Sequence, residues 1–147
     1  MAEASRTRSE ARTILGIVAC VAMLVPGSVV GWIAAVIYRF MLSGILSSSF
    51  LPEFIKTVGL QWFPSLVFGM VTGAVALALT MRLIKNAEPR IIAFAIATAW
   101  ISLTLFASWI VVAVYDLPFD AVAGTAHTLG LVFGLGSVAK GHGPRDI

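Results

Sequence analysis

The sequence predicts an all-α integral membrane protein: a four-helix bundle of two antiparallel transmembrane hairpins, with an apolar interfacial connector between the first two spans. Of the 147 residues, 59% are hydrophobic and only 12% are charged, whereas soluble domains carry about 25% charged residues. The charged side chains leave four long uncharged runs, and a helix needs roughly 20 apolar residues to cross a bilayer. These runs, taken as the four spans, are 13–38, 57–81, 91–115 and 121–139.

The distribution of basic residues predicts the orientation of the bundle. Lys and Arg are retained on the cytoplasmic side of a membrane, so the tails at 1–12 and 140–147 are both expected in the cytoplasm. The simple topology and the lack of a transit-peptide pattern favour a bacterial inner membrane. This sorting also explains the net charge of +3 without a basic face for nucleic acid, so no such partner is expected. The cytoplasmic set is Arg6, Arg8, Arg12, Arg82, Lys85, Arg90, Lys140 and Arg145, and the outer set is Arg39 and Lys56.

The first span contains two local signals. Pro26 removes an amide donor near the middle of the span, which predicts a kink or an open turn there. The stretch 17–20 resembles a bacterial lipobox, in which Cys20 would be lipidated after cleavage. The simpler interpretation makes Cys20 a small apolar residue of an uncleaved helix. Because it is the single cysteine, no intramolecular disulfide can form.

The connector at 39–56 is too apolar for a solvated loop and too short and interrupted to span the membrane. We expect the first helix to continue to about Leu46, followed by a Ser-rich turn and a short segment that begins after Pro52. This connector would lie along the outer interface as a passive apolar cover. A re-entrant or partner-docking element is the alternative.

The other two connectors are short. Pro89 is expected at the start of the third span, where its missing amide costs nothing. The segment 116–120 predicts a tight outer turn, with Asp120 capping the N-terminus of the fourth span. So short a link makes the third and fourth spans antiparallel neighbours.

Three of the four spans each contain two glycines four residues apart. Such residues share one face of a helix, and small residues on that face let two helices approach closely in lipid. We therefore expect these positions to mediate helix packing, either inside the monomer or between subunits. The pairs are Gly27 and Gly31, Gly69 and Gly73, and Gly130 and Gly134.

His127 is the only Asp, Glu, His, Lys or Arg inside the predicted spans, and an intramembrane ionisable residue is a functional hypothesis by default. Counting inward from the outer turn places Ser108 at a similar depth on the neighbouring span, with a hydrogen bond to His127 within reach, and Thr104 lies on the same face as Ser108. The candidate polar intramembrane site is therefore His127, Ser108 and Thr104. The simplest interpretation is a neutral histidine that fixes helix register, and a proton-linked or ligand-binding role is the alternative. A metal site is not expected, because a lone histidine lacks the further ligands.

The spans contain no carboxylate pair, hydrolytic triad or phosphate-binding loop, so neither an enzyme nor a cofactor is expected. Two functions remain. The first is a non-enzymatic assembly or accessory protein in the lipid bilayer, which packs against itself as a homo-oligomer or against a larger membrane-protein partner. The alternative is a small oligomeric channel or carrier whose pathway is lined by Thr104, Ser108, Thr125, His127 and Thr128. A pathway requires a water-accessible cavity that reaches His127, whereas packing requires a dry contact.

Overall fold

The computed structural model describes residues 2–46, 50, 52–85, 87–113 and 121–141, and within these ranges it contains helices and no strand. The predicted all-α class is confirmed. Three stretches are long and apolar enough to cross a membrane: Glu10–Leu46, Glu53–Leu83 and Pro89–Ile110. In chain order the elements are α1 (Ala2–Leu46), α2 (Glu53–Thr57), a π-helical segment (Val58–Trp62), α3 (Phe63–Leu83), α4 (Pro89–Ala113) and α5 (Ala121–Gly141).

Helix α1 is longer than the predicted first span and runs without interruption through Pro26. No open turn forms there, because a proline removes only one amide donor and the other hydrogen bonds keep the helix together. One turn is reinforced by Ser28, whose Oγ donates to the Leu24 carbonyl at 2.7 Å. The helix ends at Leu46, as expected for the first part of the connector.

The outer connector also contains a short helix, where the sequence predicts a short segment after Pro52. The Ser-rich turn predicted before it, at 47–49, lies outside the described residues. The amides of Ile55 and Lys56 donate to the Pro52 carbonyl at 3.0 and 3.2 Å, which begins α2 directly after the proline. Phe50 and Phe54 expose 95% and 76% of their surface. The chain then passes through the π-helical segment into α3 without a break. The outer turn predicted at 116–120 lies outside the described residues.

Helix α3 is the central helix, with α1 and α5 packed against it. It runs antiparallel to α1: Gly27 faces Thr72, whereas Arg39, further along α1, contacts Leu60, which precedes α3. It runs parallel to α5, because residues later in α3 contact residues later in α5. The buried side of α3 is formed by Pro64, Gly69, Thr72, Gly73, Ala76, Leu77 and Thr80.

Helix α4 is the most sparsely packed of the long helices. Its first turns are well buried, through Ile92 and Ile96. Beyond Ala97, only a few residues of α4, spaced about one turn apart, are half-buried. They include Trp100, Thr104 and Ser108. The continuous core therefore lies nearer the end of the bundle where α4 begins, and it contains Cys20, Ala76, Leu77, Ala87, Ile92, Ala93, Ile96, Leu131, Leu135 and Ala139.

Candidate functional site

The imidazole of His127 lies between aromatic rings of two neighbouring helices. Its centroid is 4.6 Å from the ring of Phe68 on α3 and 5.6 Å from that of Trp100 on α4. The ring also hydrogen-bonds to the backbone of Ser65. Its Nδ1 atom is buried and has no hydrogen-bond partner among the described residues. A buried imidazole nitrogen without a partner suits the neutral form of the ring, because burial penalises the charged form.

Close approach of α3 and α5 holds His127 in this position. A Cβ atom on Gly69 would collide with the His127 carbonyl, and one on Gly130 would collide with the carbonyl of Leu66. Because both obstructing atoms belong to the backbone, the helices could accept a side chain only by moving apart. The same is true of Gly73 and Gly134, so the two glycine pairs interlock across one interface.

The third glycine pair lies between α1 and α3. A Cβ atom on Gly27 would lie 2.7 Å from the Thr72 carbonyl oxygen, and one on Gly31 would lie 2.6 Å from the Phe68 carbonyl oxygen. Thr72 is 2% exposed, and its hydroxyl has no hydrogen-bond partner among the described residues. All six glycines singled out by spacing thus lie at contacts between helices of one chain.

The structure does not join His127 to Ser108. The hydroxyl of Ser108 donates within its own helix to the Thr104 carbonyl at 2.6 Å. The polar contact between α4 and α5 is instead the pair of hydroxyls of Thr104 and Thr128, 3.4 Å apart. The imidazole of His127 contacts Trp100, and Thr104 faces Thr128, so Ser108 is not the partner that counting from the outer turn suggested. The three residues of the predicted site therefore form two separate contacts rather than one cluster.

Trp100 and Trp32 differ in a way that the sequence did not distinguish. Both lie deep in predicted spans, where we expect an indole to face another helix or a local carbonyl. Trp100 is half-buried against His127. Trp32 instead exposes 63% of its surface. Most of Trp32 is therefore not covered by another helix, and the other expected partner of its indole, a local carbonyl, stays a prediction.

Arg39 has a structural role that sequence reasoning missed. Its Nε and Nη2 atoms donate to the Leu60 carbonyl oxygen at 3.2 and 3.0 Å. That carbonyl lies four residues before Pro64, which has no N–H with which to complete the usual helical hydrogen bond. The guanidinium group supplies the missing donors. A proline inside the second span, together with an unexplained arginine beside the outer connector, was the signal that pointed to this contact.

The described residues contain no group of three or more His, Cys, Asp or Glu that could hold a metal ion. Cys20 is fully buried in the core, against which Ile17 and Leu24 also pack. The position suits a small apolar side chain of a continuous helix.

No protein-family model, curated protein or solved structure matches this chain. The function proposed for the site therefore rests on its geometry.

Proposed function

We propose that the protein is a small, non-enzymatic, multi-pass membrane protein that acts by helix packing, either with itself or with a larger membrane partner. The observation that carries this proposal is the position of His127 between the rings of Phe68 and Trp100, with its Nδ1 atom buried. A conduction or transport pathway would bring water to the one ionisable residue of the spans.

The proposed topology has four spans with both termini in the cytoplasm of a bacterial inner-membrane protein. Helix α5 has 21 residues, about 31 Å at 1.5 Å per residue, which matches the roughly 30 Å hydrocarbon core. It lies beside α3 and so shares its depth. One end of the bundle carries four exposed basic residues, Arg12, Arg82, Lys85 and Arg90. This supports the proposal that this end lies in the cytoplasm, where basic residues are retained.

The proposed contact surface is the groove between α4 and α5. It encloses about 360 Å³ and is lined by Ile101, Thr104, Leu105, Thr125, Thr128, Leu129 and Val132. Leu105 and Leu129 are 66% and 46% exposed. Threonine hydroxyls on an otherwise apolar surface are typical of helix contacts in membranes, where hydrophobic burial gives little drive for association. An incoming helix would place apolar side chains into this groove.

The experiment is purification of the tagged protein in mild detergent, with mass determination of the native complex and identification of its components. Wild-type protein is expected as a homo-oligomer or with a larger partner. Leu129→Trp fills the groove and is expected to release the monomer. The matched control is Leu103→Trp, at an α4 position that is 59% exposed and outside the groove lining, and it is expected to keep the complex.

Two results would contradict this function. The first is a wild-type protein that is monomeric and without a partner at every detergent concentration. The second is ion or solute flux in liposomes that falls when His127 is replaced by Phe, since the dry contact would then be a pathway.

A further inference from the structure

A second cavity lies on the other side of α3, between α1 and the start of α3. It encloses about 180 Å³ and is lined by Trp32, Ala35, Val36, Arg39, Gln61, Pro64, Ser65 and Phe68. Trp32 and Val36 expose 63% and 46% of their surface, so the cavity opens on the side of the bundle that faces lipid. The helix packing proposed above does not involve this cavity.

Arg39 enters this cavity in a fixed orientation with donors to spare. A guanidinium group has five N–H donors. Its Nε and one hydrogen of Nη2 bind the Leu60 carbonyl, which leaves three donors in the plane of the group. Planar guanidinium donors suit the oxygens of a phosphate group.

The positive charge of Arg39 is not neutralised within the part of the chain that the structure describes. Both of its hydrogen bonds go to an uncharged carbonyl. The carboxylate of Glu53, on α2, binds Lys56 at 2.8 Å. An anion is therefore the complementary ligand.

The lining changes from polar to apolar along the cavity. Arg39 and Gln61 lie at one end, and Trp32 and Phe68 lie at the other. Arg39 and Trp32 are seven residues apart on α1, which is two turns or about 10 Å. This order matches a phospholipid, whose phosphate lies at the interface and whose acyl chain continues toward the membrane centre.

We propose that this cavity binds one anionic phospholipid, with its phosphate group on Arg39 and Gln61 and one acyl chain along Val36, Trp32 and Phe68. The Pro64 ring has a part in the site, because the carbonyl that it leaves without an amide donor is what orients the guanidinium group. The lipid would cover the exposed side of the contact between α1 and α3.

The proposal is tested by native mass spectrometry of the full chain in detergent, titrated with dioctanoyl-phosphatidylglycerol or dioctanoyl-phosphatidylcholine. The wild-type protein is expected to bind phosphatidylglycerol about fivefold more tightly than phosphatidylcholine. This ratio corresponds to about 1 kcal/mol, the attraction between one basic side chain and an anionic lipid surface. Arg39→Gln should abolish that preference. Because Arg39→Gln also removes the donors to Leu60, a second variant that leaves this contact intact is needed.

Val36→Trp is that second variant, because it fills the cavity and keeps both the Arg39 side chain and the Leu60 carbonyl that it binds. It is expected to lose most lipid binding. Its matched control is Val25→Trp, at an α1 position that is 71% exposed and outside the cavity lining, and it is expected to bind as the wild type does. Equal binding of the two lipids by the wild type, or undiminished binding by Val36→Trp, would overturn the proposal. Inorganic phosphate that raises the melting temperature as much as phosphatidylglycerol would show a free-phosphate site and overturn the lipid assignment.

Discussion

Gly134 offers the sharpest test of how this protein is held together, through the substitution Gly134→Ala. An added Cβ would lie 2.9 Å from the Ala74 amide nitrogen and closer still to the Met70 carbonyl oxygen. Ordinary van der Waals contact begins at 3.4 Å, so the closer contact, with the Met70 carbonyl oxygen, decides how far α3 and α5 must separate locally. A gap of about 1 Å forfeits up to about half of the dispersion energy of the atoms beside it. We expect the substitution to cost about 1–3 kcal/mol, the usual range for an overpacked core.

Gly136→Ala is the matched control, two residues further along α5. A Cβ there meets nothing within 4 Å, and alanine favours helix over glycine by up to about 1 kcal/mol. The assay is reversible unfolding in mixed micelles with increasing denaturing detergent, followed by circular dichroism. Gly134→Ala should unfold at a lower fraction of denaturing detergent, and Gly136→Ala at the wild-type fraction or above. Equal midpoints for the two variants would refute the interlocked interface.

Three further predictions use the same assay. His127→Ala should cost about 1–3 kcal/mol, because it removes two aromatic contacts of about 0.5–1.5 kcal/mol each, and His127→Phe should recover most of that loss. A double-mutant cycle of Thr104→Val and Thr128→Val should give a coupling free energy of about 0.6 kcal/mol, the average for interhelical hydrogen bonds in a membrane. Pro64→Ala returns an amide donor to the Leu60 carbonyl, so Arg39→Gln should cost less stability in the Pro64→Ala background than in the wild type.

Each of these predictions has a result that would contradict it. If His127→Ala left the stability unchanged, even the proposed role of this residue in fixing helix register would be wrong. Coupling between Ser108→Ala and Thr128→Val as large as that between the two threonine substitutions would show that the hydroxyl pair is not the specific contact. Additive effects of Arg39→Gln and Pro64→Ala would show that the guanidinium group does not replace the missing amide.

The helical parts of the outer connector were predictable because their causes are local. Continuation of α1 to Leu46 follows from an apolar run without a proline, and α2 begins where Pro52 fixes the backbone. Pro26 shows the limit of such reasoning. Its local preference predicted a kink or an open turn, and the open turn is wrong because α1 continues through Pro26.

The sequence predicted which residues belong to the candidate site, but it did not predict which residues they contact. The sequence singled out His127, Thr104 and Ser108, yet His127 contacts Phe68 and Trp100, and Thr104 contacts Thr128. Pairing across helices depends on their axial offset, which counting from a turn estimates only to within a helical turn or two. The interlocked backbones of α3 and α5 set the offset of that pair, whereas the offset between α4 and α5 places Thr104 opposite Thr128.

The sequence by itself determined the all-α class, the stretches apolar enough to cross a membrane and the glycines that face other helices, since composition and spacing act along one chain. Only the tertiary structure decided that α3 is the central helix, that α4 is attached through a narrow stripe, and that Arg39 binds the Leu60 carbonyl. These features depend on which surfaces meet and at what offset. Close packing selects that offset from many that the same helices could adopt, so it is a property of the assembled bundle.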